Sequence, residues 1–178
     1  MRMFHVGQLS TYVALLVPLA VIITYYDVRY RRIPNIYVLT TLICGLGVNT
    51  IIGGWRGAVS SLAGCAFAFC LMLILHVCGA MGAGDVKLFA SIGAVIGTNM
   101  VLPTFLVVLI TGGALAVLSI LRSGTVYETA QHVSFIFASL LISWRVPRFV
   151  MPADRKQTIP YGVAITFGSL ISLFIFRS

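Results

Sequence analysis

The sequence predicts an all-α, polytopic membrane helix bundle with about six transmembrane helices. Three observations predict it. The mean hydropathy is +1.05. Hydrophobic residues make up 60% of the chain and charged residues 9%, against about 25% charged in a typical soluble domain. The few charges sit between long uncharged runs, each close to the roughly 20 apolar residues a spanning helix needs. Little beyond the loops is left for soluble structure, so residues 1–178 read as a single membrane-embedded domain.

The first span runs from Ser10 to Tyr26. Arg2 before an apolar run imitates a signal peptide, but no small-x-small cleavage site follows. The run ends in Asp27-Val28-Arg29-Tyr30-Arg31-Arg32, more basic than its start, so a retained helix with its C-terminal end in the cytoplasm is expected. Pro34 opens the second span, where its missing N–H costs nothing, and Asn35 to Ile52 continue it up to a Gly53-Gly54 turn. Ala58 to Cys78 form the third. Residues 88–121 carry no charge and are too long for one span. Gly93, Gly97, Asn99 and Pro103 offer break points, giving a short helix over 85–98 and a longer one over 101–121. The last span runs from Tyr161 to Phe176. Between them, 122–159 is expected to be a cytoplasmic or interfacial segment. Its apolar stretch, Val133 to Ile142, is about half the length of a span and reads better as an interfacial helix than as a seventh span.

Basic residues set the orientation. With the N-terminus outside, the inside loops hold Arg29, Arg31, Arg32, Lys87, Arg122, Arg145, Arg148, Arg155 and Lys156, and the outside keeps Arg2, Arg56 and Arg177. The net charge of +8 is therefore a membrane-topology signal. No basic face with polar surroundings points to nucleic acid. Cys44, Cys65, Cys70 and Cys78 lie in apolar segments without a Cys-x-x-Cys pair; they read as small buried hydrophobes rather than metal ligands. Most glycines, such as those of Gly93-x-x-x-Gly97, read as sites of close helix packing.

Only four acids occur: Asp27, Asp85, Glu128 and Asp154. Glu128 and Asp154 fall in the basic 122–159 segment and are expected to be solvated. Asp27 and Asp85 border apolar spans, and the predicted orientation puts both on the cytoplasmic side. An Asp costs roughly 2.5–3.5 kcal/mol at the centre of a membrane helix and less near its ends, so two of them on one face ask for a function. Asp27 closes the first helix, at the end where the dipole disfavours negative charge. Asp85 follows Gly82-Ala83-Gly84 and opens the fourth helix, where the dipole favours it. Paired carboxylates are the equipment of acid/base hydrolysis. Pro160-Tyr161-Gly162 opens the last helix, which is an ordinary place for proline.

These segments resemble those of the type IV prepilin peptidases, bacterial inner-membrane aspartyl peptidases of the Gly-x-Gly-Asp class. The likeness rests on Asp27 with Arg31-Arg32-Ile33-Pro34-Asn35, on Gly82-Ala83-Gly84-Asp85-Val86-Lys87, and on Pro160-Tyr161-Gly162. It implies that Asp27 and Asp85 are the catalytic pair, with Gly82, Gly84, Lys87, Arg32, Pro34, Asn35, Pro160, Tyr161 and Gly162 in supporting positions. It also implies a prepilin or pilin-like substrate, whose short basic leader is cut at the cytoplasmic face, after a Gly and often a few residues before a Glu. Long members of the family carry an N-terminal cytoplasmic insertion with two Cys-x-x-Cys pairs and also N-methylate the product. The first motif at residue 27 leaves no room for that insertion, so the chain looks like the short, peptidase-only form found with tight-adherence (Flp-type) pili.

The expected chemistry needs no metal or cofactor. Carboxylates within a few ångströms share a proton. The ionised one takes a proton from water while the protonated one polarises the scissile carbonyl. For this the first and fourth helices must pack together at their cytoplasmic ends. The arginines after Asp27 read as orientation anchors and headgroup contacts. Lys87 reads either as a group tuning Asp85 or as a snorkelling anchor. Two other readings remain open at this point: an archaellin or other Gly-x-Gly-Asp membrane peptidase, and a non-enzymatic transport or assembly subunit using the aspartates for ion coupling.

Overall fold

The computed structural model describes residues 6–30, 33–78, 81–123 and 161–176, and its elements among these residues are all α-helices. They are α1 (Val6–Tyr30), α2 (Asn35–Val77), α3 (Ala83–Ile96), α4 (Thr98–Ser123) and α5 (Tyr161–Ile175). Three segments are long and apolar enough to cross a membrane: Ser10–Tyr30, Asn35–Val77 and Thr98–Ser119. The expected interfacial segment 122–159 lies outside the described residues, apart from Arg122 and Ser123 at the end of α4.

At 43 residues, a straight α2 would be about 65 Å long, twice the ~30 Å of a bilayer's apolar core. It is not straight. Gly54 breaks it with φ 56° and ψ −143°, a conformation open to glycine and strained for other residues. The expected Gly53-Gly54 turn is thus present, and α2 is two arms, 35–53 and 55–77. Both arms reach the same atom: Asn49 Nδ2 and Ser61 Oγ each donate to the Ala94 carbonyl, at 2.8 and 2.6 Å.

That shared partner belongs to α3, the centre of the molecule. Ten of its 14 residues, from Val86 and Leu88 to Ile96, are buried. The approach to α2 is set by glycines. A Cβ on Gly93 would come within 2.6 Å of the Gly64 oxygen and the Ala68 Cβ, and one on Gly45 within 2.9 Å of the Val95 nitrogen. At about 21 Å, α3 is shorter than an apolar core, so its C-terminal carbonyls end inside the protein. Buried carbonyls need partners: Asn49 takes those of Ala94 and Val95, while Tyr12 Oη donates to Asn49 Oδ1 at 2.6 Å.

The break expected in 88–121 falls at Gly97, with φ 71°. Pro103, also expected to break the chain, lies inside α4. A proline near a helix start sacrifices one hydrogen bond, which a packed membrane helix tolerates. The expected helix ends move as well: α1 continues past Tyr26 to Tyr30, because nothing in Asp27-Val28-Arg29-Tyr30 stops a helix. Around α3, α4 packs on α5 and α1 packs chiefly on α5, touching α3 only lightly. The first and fourth helices, expected to pack together at their cytoplasmic ends, touch only there, around Asp27 and Asp85, rather than along their lengths. α5 fills the space between them, and it can do so because Gly162 and Gly168 leave room for Asp27 and Val108.

Candidate active site

The inner face of α1 is a stripe of Leu16, Leu19, Ala20 and Ile23, spaced three or four residues apart as a helix requires. The next place on that stripe is Asp27. It is 7% exposed, whereas its neighbours Val28, Arg29 and Tyr30 face outward. Helical periodicity, continued one turn beyond the last apolar residue, thus carries a carboxylate into the interior. The first turn of α5 meets it there. A Cβ on Gly162 would lie 2.8 Å from Asp27 Oδ2 and 3.1 Å from its Cγ, so the backbone of α5 runs directly against the carboxyl group.

Asp85 arrives from the opposite kind of helix end. Gly82 is the N-cap of α3 in extended conformation, and Asp85 is the third residue of the helix. Its Oδ2 accepts the Gly82 N–H at 3.2 Å, while the Gly82 carbonyl accepts the Asp85 N–H at 3.1 Å. The carboxylate is held over the positive end of the α3 dipole. Asp85 lies close enough to Asp27 for their charges to repel, and close enough to Tyr161 for that phenol to feel its charge. Asp27, Asp85, Tyr161 and Gly162 therefore form one cluster where α1, α3 and α5 meet.

The other expected residues are placed less closely. Pro34 is the N-cap of α2, and Asn35 begins it, exposed. Gly84 is exposed on α3 and packs toward Ile33, since a Cβ there would be 3.8 Å from the Ile33 side chain. That contact ties the two motif segments to each other. Lys87 is exposed, as an anchor would be. Arg32 and Pro160 lie outside the described residues. Among the described residues no group of three His, Cys, Asp or Glu is placed to hold a metal ion.

Two polar residues escaped the sequence reading. Asn49 is an amide within an apolar run, costly in a membrane unless satisfied, and that cost was the available signal. His76, in the last turn of α2, bonds the Met81 carbonyl through Nδ1 at 2.8 Å. That bond bridges a loop and leaves no periodic trace.

No solved structure matches the chain. It is 32% identical over 109 residues to a prepilin leader peptidase/N-methyltransferase of Bacillus subtilis (strain 168), covering 58% of this chain and 43% of that relative. The chain thus spans under half the length of the curated relative it matches. Residues 14–117, which include Asp27 and Asp85, match the type IV leader peptidase family. With more than half of its length matched, the chain belongs to the type IV leader peptidase family.

Proposed function

We propose that this chain is an aspartyl endopeptidase that removes the basic leader from Flp-like type IV prepilins at the cytoplasmic face of the bacterial inner membrane. The observation that carries the reading is the convergence of Asp27 and Asp85, from helix ends far apart in sequence, in a member of a leader peptidase family. In this reading each arm of α2 counts as a span, and with α1, α4, α5 and the short, buried α3 the single domain has six membrane-embedded helical segments. The N-terminus is outside, and both aspartates are near the cytoplasm.

In this reading the two carboxyl groups share one proton, because a second negative charge beside the first is costly in a desolvated site. The ionised member removes a proton from water, and the water oxygen bonds to the scissile carbonyl carbon. The protonated member gives its proton to the carbonyl oxygen as that double bond opens. The carbonyl then re-forms as its hydroxyl returns a proton to the second carboxylate, the C–N bond breaks, and the departing nitrogen takes the proton the first carboxylate had accepted. Gly162 lets the α5 backbone support the Asp27 carboxyl at contact distance, and Gly82 orients that of Asp85 through its N–H.

The direct test uses Asp27→Asn and Asp85→Asn, each co-expressed with an Flp-type prepilin in membranes. Both are expected to leave the precursor uncut, since loss of a general acid or base costs about 10²–10⁴-fold. Full processing by either variant would overturn the two-aspartate mechanism.

A further inference from the structure

The peptide unit between Met81 and Gly82 is bonded at both ends. Its carbonyl oxygen receives His76 Nδ1 at 2.8 Å. Its N–H donates to Asp85 Oδ2 at 3.2 Å. A carbonyl oxygen can only accept, so His76 Nδ1 must carry the hydrogen. The result is a run of donors pointing one way: imidazole N–H to C=O, through a planar amide, and N–H to carboxylate. The amide plane is stiff, so fixing its oxygen fixes the direction of its N–H. Hydrogen bonds in series also polarise one another, so a carbonyl that accepts a bond leaves its amide a stronger donor. A histidine in the last turn of a helix ordinarily bonds that helix's own final carbonyls. His76 instead reaches forward across the loop, to the one peptide whose other end holds Asp85.

We propose that His76 is a positioning residue for Asp85, acting through the Met81–Gly82 peptide. It sets the orientation of the Gly82 N–H and thereby the rotamer and charge of the Asp85 carboxylate, without touching substrate. The proposal rests on the reading of Asp85 as a catalytic residue.

The test compares His76→Leu, His76→Asn and His76→Gln, with Asp85→Asn as reference, in the purified full-length chain acting on an Flp-type prepilin. Asparagine places an N–H where Nδ1 stands, and glutamine places one where Nε2 stands. His76→Leu is expected to lower kcat by about 10–100-fold, as a slightly misplaced catalytic group does, with KM within about twofold. His76→Asn should restore most of that loss, and His76→Gln should not. The Gly82 amide proton resonance should move in His76→Leu and in Asp85→Asn, and return in His76→Asn. Wild-type kcat in His76→Leu, rescue by glutamine in place of asparagine, or a Gly82 resonance indifferent to residue 76 would each overturn the proposal. If His76→Leu does not fold, the asparagine–glutamine comparison decides. If Asp85→Asn still cleaves, the proposed function fails, and the Gly82 resonance alone decides whether the tether exists.

Discussion

Asp27 faces Gly162 across a gap that admits a hydrogen and nothing larger. Gly162→Ala inserts a methyl 2.8 Å from Oδ2, an overpacking of about 1–3 kcal/mol. The carboxyl group can relieve it only by turning away. Prepilin cleavage is expected to fall by about 10–100-fold, with the protein still present in the membrane fraction. Gly113→Ala, which meets nothing within 4 Å, should cleave at the wild-type rate. Initial rates at matched protein levels check both, and equal rates in the two variants would remove the steric argument. At this scale the sequence was legible where chemistry made a residue expensive. Two acids beside apolar spans could be read from cost alone. Tyr161 and Gly162 could not, since a Pro-Tyr-Gly at a helix start is ordinary, and their weight came from family resemblance until α5 was seen against Asp27.

The element that positions the site is α3, buried along most of its length and shorter than the bilayer core is thick. Its C-terminal carbonyls depend on side chains of α2. Asn49→Leu leaves the Ala94 carbonyl with Ser61 alone and takes the Val95 carbonyl's side-chain partner. Each stranded buried group costs about 1–3 kcal/mol, so the apparent unfolding temperature in detergent should drop clearly. Tyr12→Phe removes one bond of the same network and should lower it less. A larger drop for Tyr12→Phe than for Asn49→Leu would show that the network does not hold α3. Gly93→Val should also destabilise, because its side chain would enter the Gly64 and Ala68 backbone-to-side-chain contact. The same substitution at Gly53, which has open space around it, should not. Breaks at Gly54 and Gly97 were legible because glycine supplies backbone freedom that a uniform apolar run otherwise lacks. The partner of α1 was not legible. Periodicity states which face of α1 is buried but not whether α3 or α5 covers it, and that choice turned on small residues in α5.

For the molecule as a whole, the proposed orientation would place Ala83 on the cytoplasmic side and Trp55 on the other. Both are exposed, Trp55 at 81%. In a variant with Cys44, Cys65, Cys70 and Cys78 replaced, a cysteine at 83 should react with a membrane-impermeant thiol reagent only in inside-out vesicles. One at 55 should react in intact spheroplasts. The reverse pattern would invert the topology and put the aspartates on the wrong face for a cytoplasmic cut. The reversal at Gly54 also has a consequence for biogenesis. In that proposed orientation the turn offers almost no hydrophilic loop to translocate, so the two arms of α2 would enter the bilayer as a hairpin, with Arg56 the one charge they carry across. α3 can seat only after both arms are in, because Asn49 of one and Ser61 of the other grip the same Ala94 oxygen. Asp27 is synthesised well before the wall it rests on, which belongs to α5. A nascent chain stalled before α5 would hold both acids with that wall missing, so the cluster is complete only once α5 has been made.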